Sequence, residues 1–148
     1  MASITLLTGS VYGAARLTAQ AVADALRGAG HDVHFPDAPS VQDLDPEDSA
    51  LLVCTSTTGQ GELPASILPL YLSLRDTLPQ YPGRPFGVIV LGDSSYGTTY
   101  CGAGELMREV LFEMACRETL PMLRIDALEV TDPEAPAIAW AQEWVQTL

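Results

Sequence analysis

Ala50-Leu-Leu-Val-Cys-Thr-Ser-Thr-Thr-Gly-Gln-Gly-Glu62 joins a continuous apolar run to a polar loop punctuated by two glycines. A run apolar at every position suits a strand buried on both faces, which parallel sheets provide and exposed antiparallel sheets do not. The same grammar occurs twice more. Ile4-Thr-Leu-Leu-Thr8 leads into Gly9-Ser-Val-Tyr-Gly-Ala-Ala15, and Phe86-Gly-Val-Ile-Val-Leu91 leads into Gly92-Asp-Ser-Ser-Tyr-Gly-Thr-Thr-Tyr-Cys101. Between these units lie helical stripes: Leu17, Ala21, Val22, Ala25 and Leu26; then Ile67, Leu70, Tyr71, Leu74 and Leu78, with Pro64 and Pro69 near its start; then Leu106, Met107, Val110, Leu111 and Met114. Alternating strand and helix with short connections predicts a doubly wound parallel sheet with helices on both faces.

The remaining elements complete five β-α units. His31-Asp-Val-His-Phe35 alternates as an edge strand does, and a loop rich in Pro and Asp runs from Pro36 to Asp48. Thr119-Leu-Pro-Met-Leu-Arg-Ile125 reads as a fifth strand, pushed toward an edge by Pro121, which has no N–H to donate. Asp132 as cap and Pro133 at the first position then open a last helix with Ile138, Ala141, Val145 and Leu148 on its inner stripe. Repeats, low-complexity tracts and linkers are lacking, and 148 residues suffice for one core, so residues 1–148 are expected to form one domain.

Composition narrows the function. A formal net charge of −12 argues against nucleic acid, which needs a basic stripe, and favours a soluble monomer that meets basic partners. No run approaches the roughly 20 apolar residues of a membrane span. The start, Met1-Ala-Ser-Ile-Thr, has no basic and apolar leader pattern, so the expected location is cytoplasmic. Cys54, Cys101 and Cys116 show no metal-binding spacing and read as buried thiols. His31 and His34 alternate on the weak second strand and are expected to face solvent.

Three polar loops at the carboxyl ends of parallel strands build one pocket. The first opens a helix, whose unsatisfied N–H groups and dipole favour an anion, and Gly9 and Gly13 allow a tight turn and close backbone approach. It has no Lys of a Walker loop and no G-x-G-x-x-G, so a phosphate monoester suits it better than a triphosphate or dinucleotide. The other two loops offer hydroxyls and backbone groups from Thr57 to Gly61, and Asp93, Tyr96 and Tyr100, which suit the edge and face of a flat polar ring.

Together these loops resemble those of the flavodoxins, in the right order and over the whole chain. The lack of a long insertion around the fifth strand, and the Thr55-Ser-Thr-Thr-Gly-Gln-Gly61 loop, are similar to the short-chain, MioC-like branch. The resemblance implies a flavodoxin-like five-stranded order 2-1-3-4-5, non-covalent FMN and single-electron transfer between a basic flavin reductase and basic acceptor proteins. It implies that Gly9, Ser10, Val11, Tyr12, Gly13, Ala14 and Ala15 hold the phosphate. Ser56, Thr57, Thr58, Gly59, Gln60 and Gly61, with Gly92, Asp93, Tyr96, Tyr100 and Cys101, would grip the isoalloxazine, Tyr96 stacking on it. The Gly59–Gln60 peptide would turn over on one-electron reduction, and Glu62, Asp93 and the net charge would make the low-potential couple strongly reducing.

Three departures stand out. Tyr12, Ala14 and Ala15 occupy positions where flavodoxins often carry hydroxyls, so backbone amides and Ser10 carry the phosphate. Thr58 stands where many relatives have tryptophan, and Tyr96–Cys101 is one residue longer than the common pattern. Two other classes compete. A flavoenzyme of the same fold would reduce quinones or small molecules with NAD(P)H, and a non-redox binding domain would share the strand order. A phosphoacceptor receiver needs acidic residues where Thr8-Gly9 and Thr55-Ser56 stand, and a Cys-based phosphatase needs an Arg that the residues after Cys54 do not supply.

Overall fold

A computed structural model describes residues 1–45, 48–58 and 60–148, and of Tyr96, Thr98 and Thr99 the backbone alone. The strands are β1 (Ser3–Gly9), β2 (Asp32–His34), β3 (Ala50–Ser56), β4 (Pro85–Gly92), β5 (Arg117–Glu118) and β6 (Leu123–Asp126). The helices are α1 (Ala14–Gly28), α2 (Leu68–Thr77), α3 (Gly102–Glu113) and α4 (Glu134–Val145), with short 3-10 turns at Val41–Leu44 and Ser94–Thr99. All pairings are parallel, in the order β2-β1-β3-β4-β5, and β6 also pairs with β4.

The predicted fifth strand is thus one sheet position filled by two segments. Pro85 and Phe86 pair with β5, whereas Ile89 to Gly92 pair with β6. Pro121 falls in the gap, where its missing donor costs no ladder bond, and its carbonyl instead accepts the Trp140 indole N–H at 3.0 Å.

Period-two alternation sorts the central strands onto two cores. Leu51, Val53, Val88 and Val90 face α2 and α3, while Leu52, Cys54 and Ile89 face α1 and α4. Both faces of β3 are therefore covered, which is why its sequence is apolar from Ala50 to Cys54.

Two helical stripes sit in a different phase from the expected one. In α1 the buried face is Ala15, Thr18, Ala19, Val22, Ala23 and Leu26, and Leu17 is 65% exposed. Small residues let the helix lie close to the sheet, and Leu17 is left outside. In α4 the expected Ile138, Val145 and Leu148 lie at the margin or outside, and Ala137, Trp140, Ala141 and Trp144 fill the core. The two indoles stack with centroids 6.3 Å apart and planes 9° from parallel. Gly87 makes room for them, since a Cβ there would stand 2.6 Å from each ring. Helix α4 begins one residue later than expected, with Pro133 at its N-cap, and the Asp132 carboxylate accepts Glu134 N–H at 3.1 Å.

The histidines are engaged at the sheet edge. His34 is more than half exposed and hydrogen-bonds the Asp43 carboxylate at 2.8 Å, and His31 Nδ1 accepts Ala2 N–H at 3.0 Å. Burial raises the Asp43 pKa, but bonds from His34 and Ser40 outweigh it and hold the carboxyl below its ordinary value. Among the described residues no helix is long and apolar enough to cross a membrane.

Candidate functional site

Strand register brings the three polar loops to one edge. Gly9 is level with Thr55, Ser56 with Leu91, and Gly92 with Asp126. Because β2 lies on one side of β1 and β3 on the other, the loops after β1 and β3 diverge at the point where strand order reverses, and the crevice there is the usual ligand position.

The first loop is organised around Ser10 and Gly13. Gly13 caps α1 with φ 90°, in the left-handed region that suits glycine. Its N–H is accepted by Ser10 Oγ at 2.9 Å, and its carbonyl accepts Leu17 N–H, the first bond of the helix. The amides of Ala14, Ala15 and Arg16 therefore have no acceptor within the helix, which is the anion-binding arrangement. Arg16 adds no side-chain charge there, because its guanidinium lies over Phe35 and pairs with Asp37. Tyr12 is 98% exposed. Gly9 also has a packing reason: a Cβ would meet Ile67 at 2.4 Å, so only glycine fits beneath the loop.

The second loop closes on Thr58. Thr58 N–H donates to Glu62 C=O at 3.0 Å, Gly61 N–H donates to Thr58 C=O at 2.9 Å, and Thr58 Oγ1 accepts Glu62 N–H at 3.2 Å. Ser56 Oγ and Thr57 Oγ1 are buried and have no hydrogen-bond partner among the described residues. Together with Ser10, Val11, Tyr12, Ala14 and Thr58 they line a cavity of about 260 Å³ between the first two loops. Gln60 is exposed, whereas Gly59, and with it the expected peptide inversion, lies outside the described residues.

The third loop is pinned by two carboxylates. Asp93 Oδ1 accepts Ser95 N–H at 2.9 Å, and Asp126 Oδ1 accepts the N–H groups of Ser94 at 3.1 Å and Leu128 at 3.0 Å. Tyr100 is half-buried beside Gly92, whose added Cβ would come 3.1 Å from the ring. Cys101 caps α3 with φ 58°, its side chain buried against Gly92 rather than turned to the cavity. Gly102 touches the second loop, for a Cβ there would lie 2.6 Å from Gly61 O. The side chain of Tyr96, the expected stacking ring, lies outside the described residues.

All three cysteines are free and buried. Burial pushes the Cys54 thiol up to about 12 and that of Cys116 up to about 11, and it raises Cys101 against the opposing Tyr100 and Arg124. Neutral thiols are poor nucleophiles. Burial and the Cys101 thiol likewise push the Tyr100 hydroxyl up to about 12.

Three contributors escape local sequence reading. Ser66 binds the first loop: its hydroxyl accepts Ser10 N–H at 3.0 Å and donates to Ser10 C=O at 3.3 Å. Asp126 adds a carboxylate to the third loop, and Arg124 places a cation beside Tyr100 and Cys101, paired with Glu105. The edge is therefore mixed in charge where composition alone suggests only acid. Hydrogen bonds from Ser94 and then Leu128 hold the Asp126 carboxyl below its ordinary value. Its contribution to stability is thus fully present above the unfolded carboxylate pKa of about 3.9 and is lost as pH falls through the lower folded value. Asp126→Ala is expected to speed amide hydrogen exchange at Ser94 and Leu128 while β4 stays protected; unchanged exchange at both amides would show that the loop is held by something else.

A parallel 2-1-3-4-5 sheet with three polar loops gathered at its switch point defines a flavodoxin-like doubly wound fold with a ligand crevice at that edge. The chain belongs to the flavodoxin family: the family model described as Flavodoxin matches residues 6–140. It is similar to Flavodoxin YqcA of Pectobacterium carotovorum subsp. carotovorum, with 41% identity over 97% of this chain and 95% of that one. Protein MioC of Escherichia coli strain K12 is 34% identical over 100% of this chain and 99% of its own, which agrees with the short-chain, MioC-like resemblance. A solved cysteine-to-serine variant of a flavodoxin from Pseudomonas aeruginosa superposes with a TM-score of 0.91 at 46% identity, covering 99% of this chain and 98% of the other. Family and fold together support flavin-dependent electron transfer.

Proposed function

We infer that the chain binds FMN non-covalently and carries single electrons between a basic flavin reductase and basic redox acceptor proteins, all 148 residues serving as one FMN-binding domain. The observation that carries this reading is the shared cavity of the first two loops, with the amides of the α1 start on one side and, on the other, the hydroxyls of Ser56 and Thr57, which have no hydrogen-bond partner among the described residues. Buried hydroxyls left without partners are costly, and a polar ligand that supplies the missing bonds relieves the cost. FMN fits this donor set, with a phosphate monoester for the amides and a polar chain and ring edge for the hydroxyls. When bound, it supplies reversible one-electron redox chemistry.

The chain's own residues do the rest. The Ser10 hydroxyl and the amides of Val11, Tyr12, Ala14 and Ala15 hold the phosphate, while the Gly13 N–H stays on Ser10 Oγ and shapes the loop. Ser56, Thr57, Thr58, Gly59, Gln60 and Gly61 embrace one side of the ring, and Gly92, Asp93, Tyr96, Tyr100 and Cys101 the other. Glu62, Asp93 and Asp126 oppose added negative charge at this edge, with Arg124 as a partial counterweight. The net charge of −12 favours encounter with basic proteins, and three free, buried thiols suit a reducing cytoplasm. No side chain is assigned a catalytic role.

Titration of the purified protein with FMN tests the reading. The expected result is quenched flavin fluorescence with one-to-one stoichiometry, followed by separate one-electron steps in stepwise anaerobic reduction. Absence of binding would overturn it.

A further inference from the structure

Ser66 lies outside the three glycine loops, yet both polar atoms of the Ser10 backbone are bonded to its hydroxyl. It stands at the turn that opens α2, where Pro64 C=O accepts Ile67 N–H at 3.1 Å and Leu68 N–H at 3.0 Å. Ser66 Oγ receives Ser10 N–H at 3.0 Å and gives its own proton to Ser10 C=O at 3.3 Å. The next residue, Ile67, is fully buried and fills the space that a Cβ on Gly9 would need. The pair Ser66–Ile67 therefore contacts Gly9–Ser10 by one polar and one apolar interaction, which ties the Ser10 backbone to the turn before α2.

That tie has a chemical consequence. Ser10 Oγ accepts Gly13 N–H at 2.9 Å, which leaves the hydroxyl proton of Ser10 free to donate. Ser10 N–H is already committed to Ser66, so it contributes nothing to an incoming anion. The donors left for a phosphate are the Ser10 hydroxyl and the amides beyond it, and their alignment depends on the Ser10 backbone.

We propose that Ser66 is a positioning residue for the phosphate of the cofactor, fixing Ser10 so that its hydroxyl and the following amides converge on one anion; this rests on the FMN reading above. Ser66 belongs to the connection that follows the second loop, and so that connection also sets the shape of the first. An oriented set of donors binds an anion more tightly than the same donors left to reorganise, because the ordering has been completed beforehand.

The test compares FMN with riboflavin, which has the same ring and ribityl chain but no phosphate. In fluorescence titrations of the intact protein, Ser66→Ala is expected to weaken FMN binding about tenfold, or about 1.4 kcal/mol, with riboflavin affinity unchanged. Ser66→Thr keeps the hydroxyl and is expected to restore the wild-type ratio of the two affinities. The proposal is overturned by a ratio unchanged in Ser66→Ala, by equal loss for both ligands, or by Ser66→Thr behaving as Ser66→Ala. If the wild-type protein binds neither ligand, the FMN reading itself is at fault rather than the role of Ser66.

Discussion

Replacing Trp144 with alanine is expected to lower folding stability by about 3–5 kcal/mol, the range for deleting a fully buried large aromatic side chain. Trp144 has no exposed surface, stacks on Trp140, and closes the space left open by Gly87. Its indole N–H has no partner among the described residues, so its removal breaks no side-chain hydrogen bond and the cost is packing. The neighbouring strand cannot collapse into the void, because Val88 and Val90 of β4 are committed to the opposite core. Total stabilities of about 5–15 kcal/mol make this a large share. Trp144→Phe refills most of the volume and removes a desolvated donor, so it is expected to cost less than half as much. Urea denaturation measures both: the midpoint should fall with the slope unchanged. A loss below about 1 kcal/mol for the alanine variant would mean that the tryptophan pair is not the core of this face.

Legibility in the sequence followed the range of the interactions. Strands β1, β3 and β4 stand out because burial on both faces favours dense apolar runs broken by few polar residues, a local requirement. Helix phase was less legible, since a stripe weighted by hydrophobicity prefers Leu17 to Ala15 and Thr18. The sheet selects small residues for close approach, and a leucine at that position would hold the helix away. In α4 the same weighting passed over Trp140 and Trp144, whose place depends on a glycine in another strand. The split fifth strand was half legible, as Pro121 signalled trouble with the ladder without showing that pairing resumes at Leu123. The three loops could be read from their glycines, but their mutual bracing could not. Ser10 and Ser66 are 56 residues apart and Ser94 and Asp126 are 32 apart, so no local pattern marks either pair.

Gly102→Ala should produce the largest effect on the site itself, weakening FMN about a hundredfold, or about 2.7 kcal/mol, while leaving the fold intact. An added Cβ would lie 2.6 Å from Gly61 O and 2.9 Å from Gly61 Cα, both backbone atoms that have no rotamer with which to yield. One loop must move. The α3 side is fixed, since Ala103 is fully buried and Gly104 is pressed against Val90 and Met122. The second loop is the softer partner, because among the described residues the bonds that close it run between Thr58 and the Gly61–Glu62 turn. Its displacement would carry Thr57 and Thr58 away from the first loop and widen the cavity where the ligand meets both. Alanine at the start of a helix is intrinsically better than glycine, so the loss should appear in binding and not in the unfolding midpoint. Gly28→Ala, where a Cβ meets nothing within 4 Å, serves as the control and should bind FMN as the wild type does. If Gly102→Ala binds FMN normally, contact between the second and third loops does not shape the site, and the ring must be held by each loop independently.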